Sequence, residues 1–309
     1  MSINTEKIEH PFSLTSKSKG PRSAIVTGFY EPDSGSCQYV CSDPGTGSAA
    51  LIDIVQNFDP EAAATSFESA EKIAAYVERE GLKIEWILDT HPHADHFTAS
   101  SWLKNRLGGQ TAIGEKVEDI SEIWEKLYNL PKELDPSACY DKLFSDGDSF
   151  KIGNLDCQVM LSPGHTLGSV TYVVGEDCAF VHDTFMHVDA GTARADFPGG
   201  SSATLYNSLQ SILALPDETR LFVGHDYGTD DRHEPAWEST VAQQKADNIH
   251  IGGGVGLDEY VELRDERDAT LALPERMLFA LQVNLRGGRL PEAEDNGHSY
   301  FKIPANRFA

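Results

Sequence analysis

Four metal-ligand side chains within six positions constrain this chain more than any other feature. They are His91-Pro92-His93-Ala94-Asp95-His96, set directly after the apolar run Ile84 to Leu88. In an extended loop, residues two apart project to one side, so His91 and His93 can grip one ion together. Asp95 and His96 then offer an oxygen and a nitrogen to a neighbouring position. Imidazole with carboxylate suits Zn, Fe or Mn rather than Ca or Mg. The alternative is a polar loop that happens to be rich in histidine, and four ligand-type residues at one strand end argue against it.

Three further candidates each follow an apolar run. Val159-Met160-Leu161 leads to His165, Ala179-Phe180-Val181 leads to His182-Asp183, and Leu221-Phe222-Val223 leads through Gly224 to His225-Asp226-Tyr227. A site residue at a strand terminus is held by the sheet behind it. Each of these alone reads equally well as a turn or a cap. With the first cluster they make a set of seven.

Around these residues the chain reads as strands and helices in mixed order, which predicts α/β layers with sheets inside and helices outside. Strands are expected over Ser23 to Phe29, Cys37 to Cys41 and Ala49 to Val55, with turns at Pro32-Asp33-Ser34-Gly35 and Asp43-Pro44-Gly45-Thr46-Gly47. Amphipathic spacing predicts a helix over 61–81. Helices near 98–107 and 116–128 follow, then hairpin strands from Cys139 to Phe180, a helix from Ser201 to Leu213, a strand from Arg220 to Val223, and a mostly helical stretch over 236–272. Gly252-Gly253-Gly254 reads as a loop between helices. No repeat or linker divides the chain, so a single domain is expected.

The net charge of −24 argues against nucleic acid and anionic membrane as partners. Any acidic substrate then has to be held by a few local Arg or Lys residues. No apolar stretch reaches membrane-spanning length, and Met1 to Gly20 lacks the pattern of a secretory leader. The five cysteines are scattered without a CxxC pair. A cytoplasmic protein is therefore expected. Cys37 and Cys41 fall on one face of a strand, as small buried hydrophobes.

The ordered set HxHxDH, Gly-His-Thr (Gly164 to Thr166), Asp183 and Gly-His-Asp-Tyr (Gly224 to Tyr227) resembles the metallo-β-lactamase superfamily over roughly residues 22–230. The resemblance implies an αββα sandwich with metals at one edge between the sheets, and leaves 231–309 as a helical extension packed on that core. Two branches compete, dinuclear glyoxalase II and mononuclear persulfide dioxygenase. His225-Asp226-Tyr227, Gly191-Thr192-Ala193-Arg194-Ala195-Asp196-Phe197 with Thr204-Leu205-Tyr206, and Asp196-Phe197-Pro198-Gly199-Gly200 resemble the dioxygenase branch. So do Asp183-Thr184-Phe185 and the tail pieces Gln282-Val283-Asn284 and Phe301-Lys302-Ile303-Pro304. This likeness is to longer bacterial members linked to sulfide detoxification.

Carried over, the resemblance implies one Fe(II) on His91, His165 and Asp183, a facial triad with positions left for substrate and O₂. His93, Asp95, His96 and His225 then orient ligands and bound water. Tyr227 and His225 take catalytic roles, and Arg194, Lys245 and Tyr227 bind a persulfide such as that of glutathione. The alternative uses all seven residues to hold two Zn, with Asp183 bridging, for thioester hydrolysis. A homo-oligomer, specifically a dimer, is expected. Three departures surround the substrate side. His182 stands where the family has Gly, which implies a strained turn or a side chain pointing into the site. Ala190-Gly191-Thr192-Ala193 replaces a Gly-Cys-Gly stretch. An insertion, Gly228 to Trp237, places His250 where shorter members carry a substrate-binding Arg.

Overall fold

The computed structural model describes residues 13–308. Residues 1–12 of the stretch read for a leader lie outside the described residues. Two mixed sheets form the centre. The first runs in the order β1 (Ser13–Ser16), β2 (Ile25–Glu31), β3 (Ser36–Ser42), β4 (Ser48–Ile52), β7 (Lys83–Leu88), β9 (Gln110–Gly114), β10 (Lys142–Phe144). Its first four strands are antiparallel neighbours, and the last three add in parallel. The second runs β11 (Ser149–Ile152), β12 (Leu155–Leu161), β13 (Val170–Val174), β14 (Cys178–His182), β15 (Arg220–Val223), β16 (Glu238–Thr240). A small third sheet, β6 (Ala64–Ser66), β5 (Val55–Asp59), β8 (Phe97–Thr98), lies beside them.

Strand alternation decides the layers. In β3, Cys37, Tyr39 and Cys41 face the second sheet while Val40 faces outward. Tyr39 meets Phe180 and Phe222 across the sandwich, with ring centroids 5.4 and 5.5 Å apart. Each such fully buried side chain contributes about 1.5–3 kcal/mol. Among the described residues no disulfide forms, and Cys37 and Cys41 are buried in this interior.

Helices cover both outer faces. In α1 (Glu68–Arg79), Ala70, Ile73, Ala74 and Val77 recur at helical spacing and are buried. Together with Leu103 of α2 (Ser100–Leu107), the apolar side of α1 packs on Val40, Leu51 and Ile87. α3 (Val117–Tyr128) joins α7 (Met277–Asn284) through Ile120, Trp124, Met277 and Leu281. α4 (Ser202–Leu213), α5 (Val241–Asp247) and α6 (Leu257–Asp268) cover the second sheet with Leu205, Val241 and Tyr260. The result is the αββα sandwich. No described helix is long and apolar enough to cross a membrane.

Two expected boundaries move. The strand expected over 49–55 divides at Asp53, whose φ of 53° turns the chain from the first sheet into the third. Its carboxylate accepts from the Thr90 backbone N–H and hydroxyl, both at 2.8 Å, which holds the turn. The helix expected over 61–81 begins only at Glu68, because residues 55–66 form the β5–β6 hairpin.

Candidate metal centre

The ligand candidates leave the strands at one edge between the sheets. β7 of the first sheet runs into the His91–His96 loop, while β12, β14 and β15 of the second run into His165, Asp183 and His225. β14 and β15 are parallel neighbours, so Asp183 and His225 emerge side by side.

Asp183 stands at the centre. Its Oδ2 lies 3.5 Å from Nε2 of His91 and 3.5 Å from Nε2 of His165. The outer nitrogens of both imidazoles are engaged: His91 Nδ1 lies 3.1 Å from the Thr90 hydroxyl, and His165 Nδ1 donates to the Arg194 carbonyl at 2.8 Å. Such a bond fixes the tautomer and turns the lone pair of Nε2 inward. His91 is held well below the usual imidazole range by burial and by His93 and His165, so it is neutral, as a ligand must be. Burial alone would raise the Asp183 carboxyl, but His225 and His165 hold it well below the carboxylate range.

His93, Asp95, His96 and His225 sit next to this triangle. His93 Nε2 lies 2.9 Å from Asp53 Oδ1, and its ring is 4.0 Å from that of His91 and 4.1 Å from that of His96. His225 donates from Nδ1 to Asp183 Oδ1 and from Nε2 to Asp95 Oδ2, both at 2.6 Å. Burial works against its charge, yet Asp183 and Asp95 hold the imidazole well above its usual range. His91, His93 and Asp183 offer ligand atoms within 4.8 Å of one another, and so do His93, Asp95, His96 and His225. His91 Nε2 and His93 Nδ1 are buried without a hydrogen-bond partner. Buried orphan nitrogens are rare, and a transition-metal ion supplies the missing partner. The donor set therefore fits such an ion.

A cavity of about 570 Å³ opens onto the cluster. Asp95, His165, Asp183 and His225 line its floor, and Arg194, Tyr227, His250, Arg264 and Arg267 are on its walls. The Tyr227 ring lies parallel to that of His225, 5.7 Å away, and is 66% exposed. It rests on Gly35, where an added Cβ would come within 2.7 Å of the ring. Arg194 reaches the wall with its guanidinium committed: it holds Asp196 at 2.6 and 2.7 Å and the Ala272 carbonyl at 2.7 Å. Lys245 is not brought to the cavity; it sits on α5, paired with Asp217 at 2.6 Å. His250 does reach the wall, but as a neutral acceptor. Its Nδ1 takes the Thr192 N–H at 2.9 Å, and burial beside Arg264 lowers it to about 4.

His182 takes the strained turn, with φ at 42°, at a cost of about 1–2 kcal/mol for a residue other than Gly. Its Nε2 lies 3.0 Å from the Ser162 hydroxyl and 2.7 Å from that of Thr184, and burial lowers the imidazole to about 3. The insertion is anchored twice. Arg232 grips Asp226 at 2.6 and 2.8 Å and Asp189 at 2.7 and 3.0 Å. Trp237 stacks on Tyr30 and fills the space over Gly28, where a Cβ would meet its Nε1 at 2.3 Å.

Sequence reasoning missed Asp53, Ser36, Asn284 and Arg232. Asp53 carried a signal, because it follows the apolar run Ala49-Ala50-Leu51-Ile52 just as the other site residues follow theirs. Asn284 was quoted only for its resemblance, yet it fastens the metal loop. Its Nδ2 donates to the His93 and His96 carbonyls at 2.7 and 2.9 Å, and its Oδ1 accepts from Thr98 N at 2.8 Å.

Residues 32–225 match the family model for the metallo-beta-lactamase superfamily, and the chain belongs to that superfamily. The beta-lactamase hydrolase-like protein of Xylella fastidiosa is 54% identical over 91% of this chain, and the chain spans 64% of that relative's length. Glyoxylase B2 of Dictyostelium discoideum is 41% identical over 92% of this chain and 97% of its own. The human mitochondrial persulfide dioxygenase ETHE1 is 28% identical over 85% of this chain and 89% of its own. Among solved structures, ETHE1 from Myxococcus xanthus has a TM-score of 0.68 and 26% identity, covering 86% of this chain and all of that one.

Proposed function

We propose that the chain is a mononuclear iron persulfide dioxygenase, oxidising glutathione persulfide or a related low-molecular-weight persulfide to sulfite and thiol. The observation that carries this reading is the state of His225. Its two ring nitrogens lie 2.6 Å from Asp183 Oδ1 and from Asp95 Oδ2, so it orients Asp183 and is spaced from both carboxylates as a hydrogen-bond donor is. The likeness to the two ETHE1 proteins supports the same reading.

His91, His165 and Asp183 would hold Fe(II) on one face, leaving positions open towards the cavity. When bound, the iron supplies the redox chemistry between persulfide sulfur and O₂. The rest is positioning by the chain. His225 fixes Asp183 Oδ1, so that Oδ2 faces the two histidines. Of the three arginines on the cavity wall, Arg194 and Arg264 are paired with Asp196 and Asp268. Arg267 is exposed, with no carboxylate partner among the described residues. In so acidic a chain an unpaired guanidinium at a cavity suits the carboxylate of a thiol such as glutathione. Overall, one persulfide, one O₂ and one water give one thiol, one sulfite and two protons.

The second reading, a two-zinc thioester hydrolase, is favoured by the completeness of the second ligand set and by the name of the Dictyostelium relative. Metal content after anaerobic purification, followed by oxygen uptake with glutathione persulfide, decides between them. The expected result is about one iron per chain and O₂ consumption matched to sulfite. Two zincs per chain with O₂-independent cleavage of S-lactoylglutathione would overturn the dioxygenase.

A further inference from the structure

Ser36, at the start of β3, sends its hydroxyl into the middle of the second ligand set. Its Oγ lies 3.0 Å from His96 Nδ1, 3.2 Å from Asp95 Oδ2 and 3.2 Å from His225 Nε2. A fourth neighbour, the Ser34 hydroxyl at 2.7 Å, is itself tied to the Glu31 carboxylate at 2.5 Å. The backbone holds Ser36 in place. It forms an antiparallel bridge to His225, and the next residue, Cys37, donates its N–H to the Gly224 carbonyl at 2.8 Å. Ser36 is 1% exposed, so the hydroxyl cannot swing out to solvent.

The spacing of the three side chains around it is that of hydrogen bonds. Two ligands on one tetrahedral ion, each about 2.1 Å from it, stand about 3.4 Å apart. His225 Nε2 and Asp95 Oδ2 are 2.6 Å apart, and His96 Nδ1 and Asp95 Oδ2 are 2.9 Å apart. Those are the lengths of charge-assisted N–H to carboxylate bonds, with a proton on the line between the atoms. A second cation held through these atoms would have to break both bonds, against a hydroxyl that touches all three. The first triangle differs: its histidine–carboxylate distances are 3.5 Å, and no hydroxyl stands among its ligand atoms.

We propose that Ser36 keeps the centre mononuclear by holding Asp95, His96 and His225 as a hydrogen-bonded triangle in place of a second cation. This rests on the mononuclear reading above, and deepens it by naming the residue that sets metal number. Removing the hydroxyl leaves His96 Nδ1 with Asp95 as its one partner, opens about one atom's volume beside the three side chains, and lets Asp95 and His225 separate to ligand spacing. Ser36 then acts as a positioning residue, and its effect is on stoichiometry before it is on turnover.

The test is native mass spectrometry of metal-stripped full-length protein titrated with excess Zn²⁺. The parent protein and Ser36→Thr, which keeps the hydroxyl, are expected to hold one zinc. Ser36→Ala is expected to hold two, with second-zinc affinity at least about tenfold higher. Ser36→Gly serves in the same comparison if the alanine variant does not fold. Ser34→Ala, which removes only the hydroxyl's anchor, is expected to raise second-zinc affinity by a smaller factor. A folded Ser36→Ala or Ser36→Gly that still binds one zinc overturns the assignment to Ser36, and so does a Ser36→Thr that binds two. If the parent protein itself binds two zincs, the mononuclear reading fails first, and the two failures are thereby told apart.

Discussion

The two ends of the cavity are built by different physics. At the floor, histidines and carboxylates sit on strand ends, and the outer atom of each candidate ligand is fixed by a neighbour: Thr90 for His91, the Arg194 carbonyl for His165, His225 for Asp183. Along the outer wall and the insertion beside it, long cationic side chains are committed to acids, two of them within their own segment and one across loops. Arg194 goes to Asp196, Arg232 to Asp226 and Asp189, and Arg264 to Asp268. The floor can therefore tolerate little movement, because its geometry is its chemistry.

The largest effect that can break this contrast is at the floor. Asp183→Ala should abolish stoichiometric metal binding and lower activity by at least about 10³-fold, measured by elemental analysis and oxygen uptake. Retained metal with full activity would mean that Asp183 is not a ligand. Next comes the insertion. Arg232→Ala strips the buried Asp226 carboxylate of two charged bonds and should cost about 3 kcal/mol in urea unfolding, with metal content unchanged. A loss of metal at constant stability would show instead that the insertion belongs to the floor.

The third effect is one of pH. His250 has its pKa lowered from 6.5 to about 4 in the fold, so it stays neutral while the unfolded chain takes up a proton. Its contribution is full above pH 6.5, falls as the pH drops towards 4, and is constant below that. The loss amounts to at most about 3 kcal/mol. His250→Gln should flatten that limb of the stability profile, and an unchanged slope would assign it elsewhere. The smallest effects separate the wall's cations. Arg267→Ala should raise KM for glutathione persulfide about tenfold with kcat unchanged, whereas Lys245→Ala should leave both within error. The reverse pattern would return substrate binding to Lys245.

The floor was legible in the sequence because ligand chemistry is local there: HxHxDH follows an apolar strand, and His165, Asp183 and His225 each repeat that arrangement. The wall was less so: spacing allows Arg194 to meet Asp196 and Arg264 to meet Asp268, but nothing in the sequence joins Arg232 to Asp189 or Lys245 to Asp217. Arg194 and Lys245 were read as substrate-binding cations, and the structure pairs them with Asp196 and Asp217, while Arg267 was not singled out. The layers followed from alternation and helical spacing, as in β3 and α1. Two boundaries escaped, since apolar continuity hid the turn at Asp53, and the hairpin over 55–66 carries no glycine to mark it. His182 broke the glycine rule and was read as strained, and its φ agrees.

The pairing of Trp237 with Gly28 has a consequence for inheritance and for engineering. The indole occupies the volume that any side chain at position 28 would need, so the inserted loop and the second strand cannot be varied independently. A graft of residues 228–237 onto a relative's sheet requires a glycine at the matching strand position, or the tryptophan has nowhere to dock. Conversely, a mutational scan at position 28 would report on loop closure more than 200 residues away in the chain, although every other position of the strand carries a side chain.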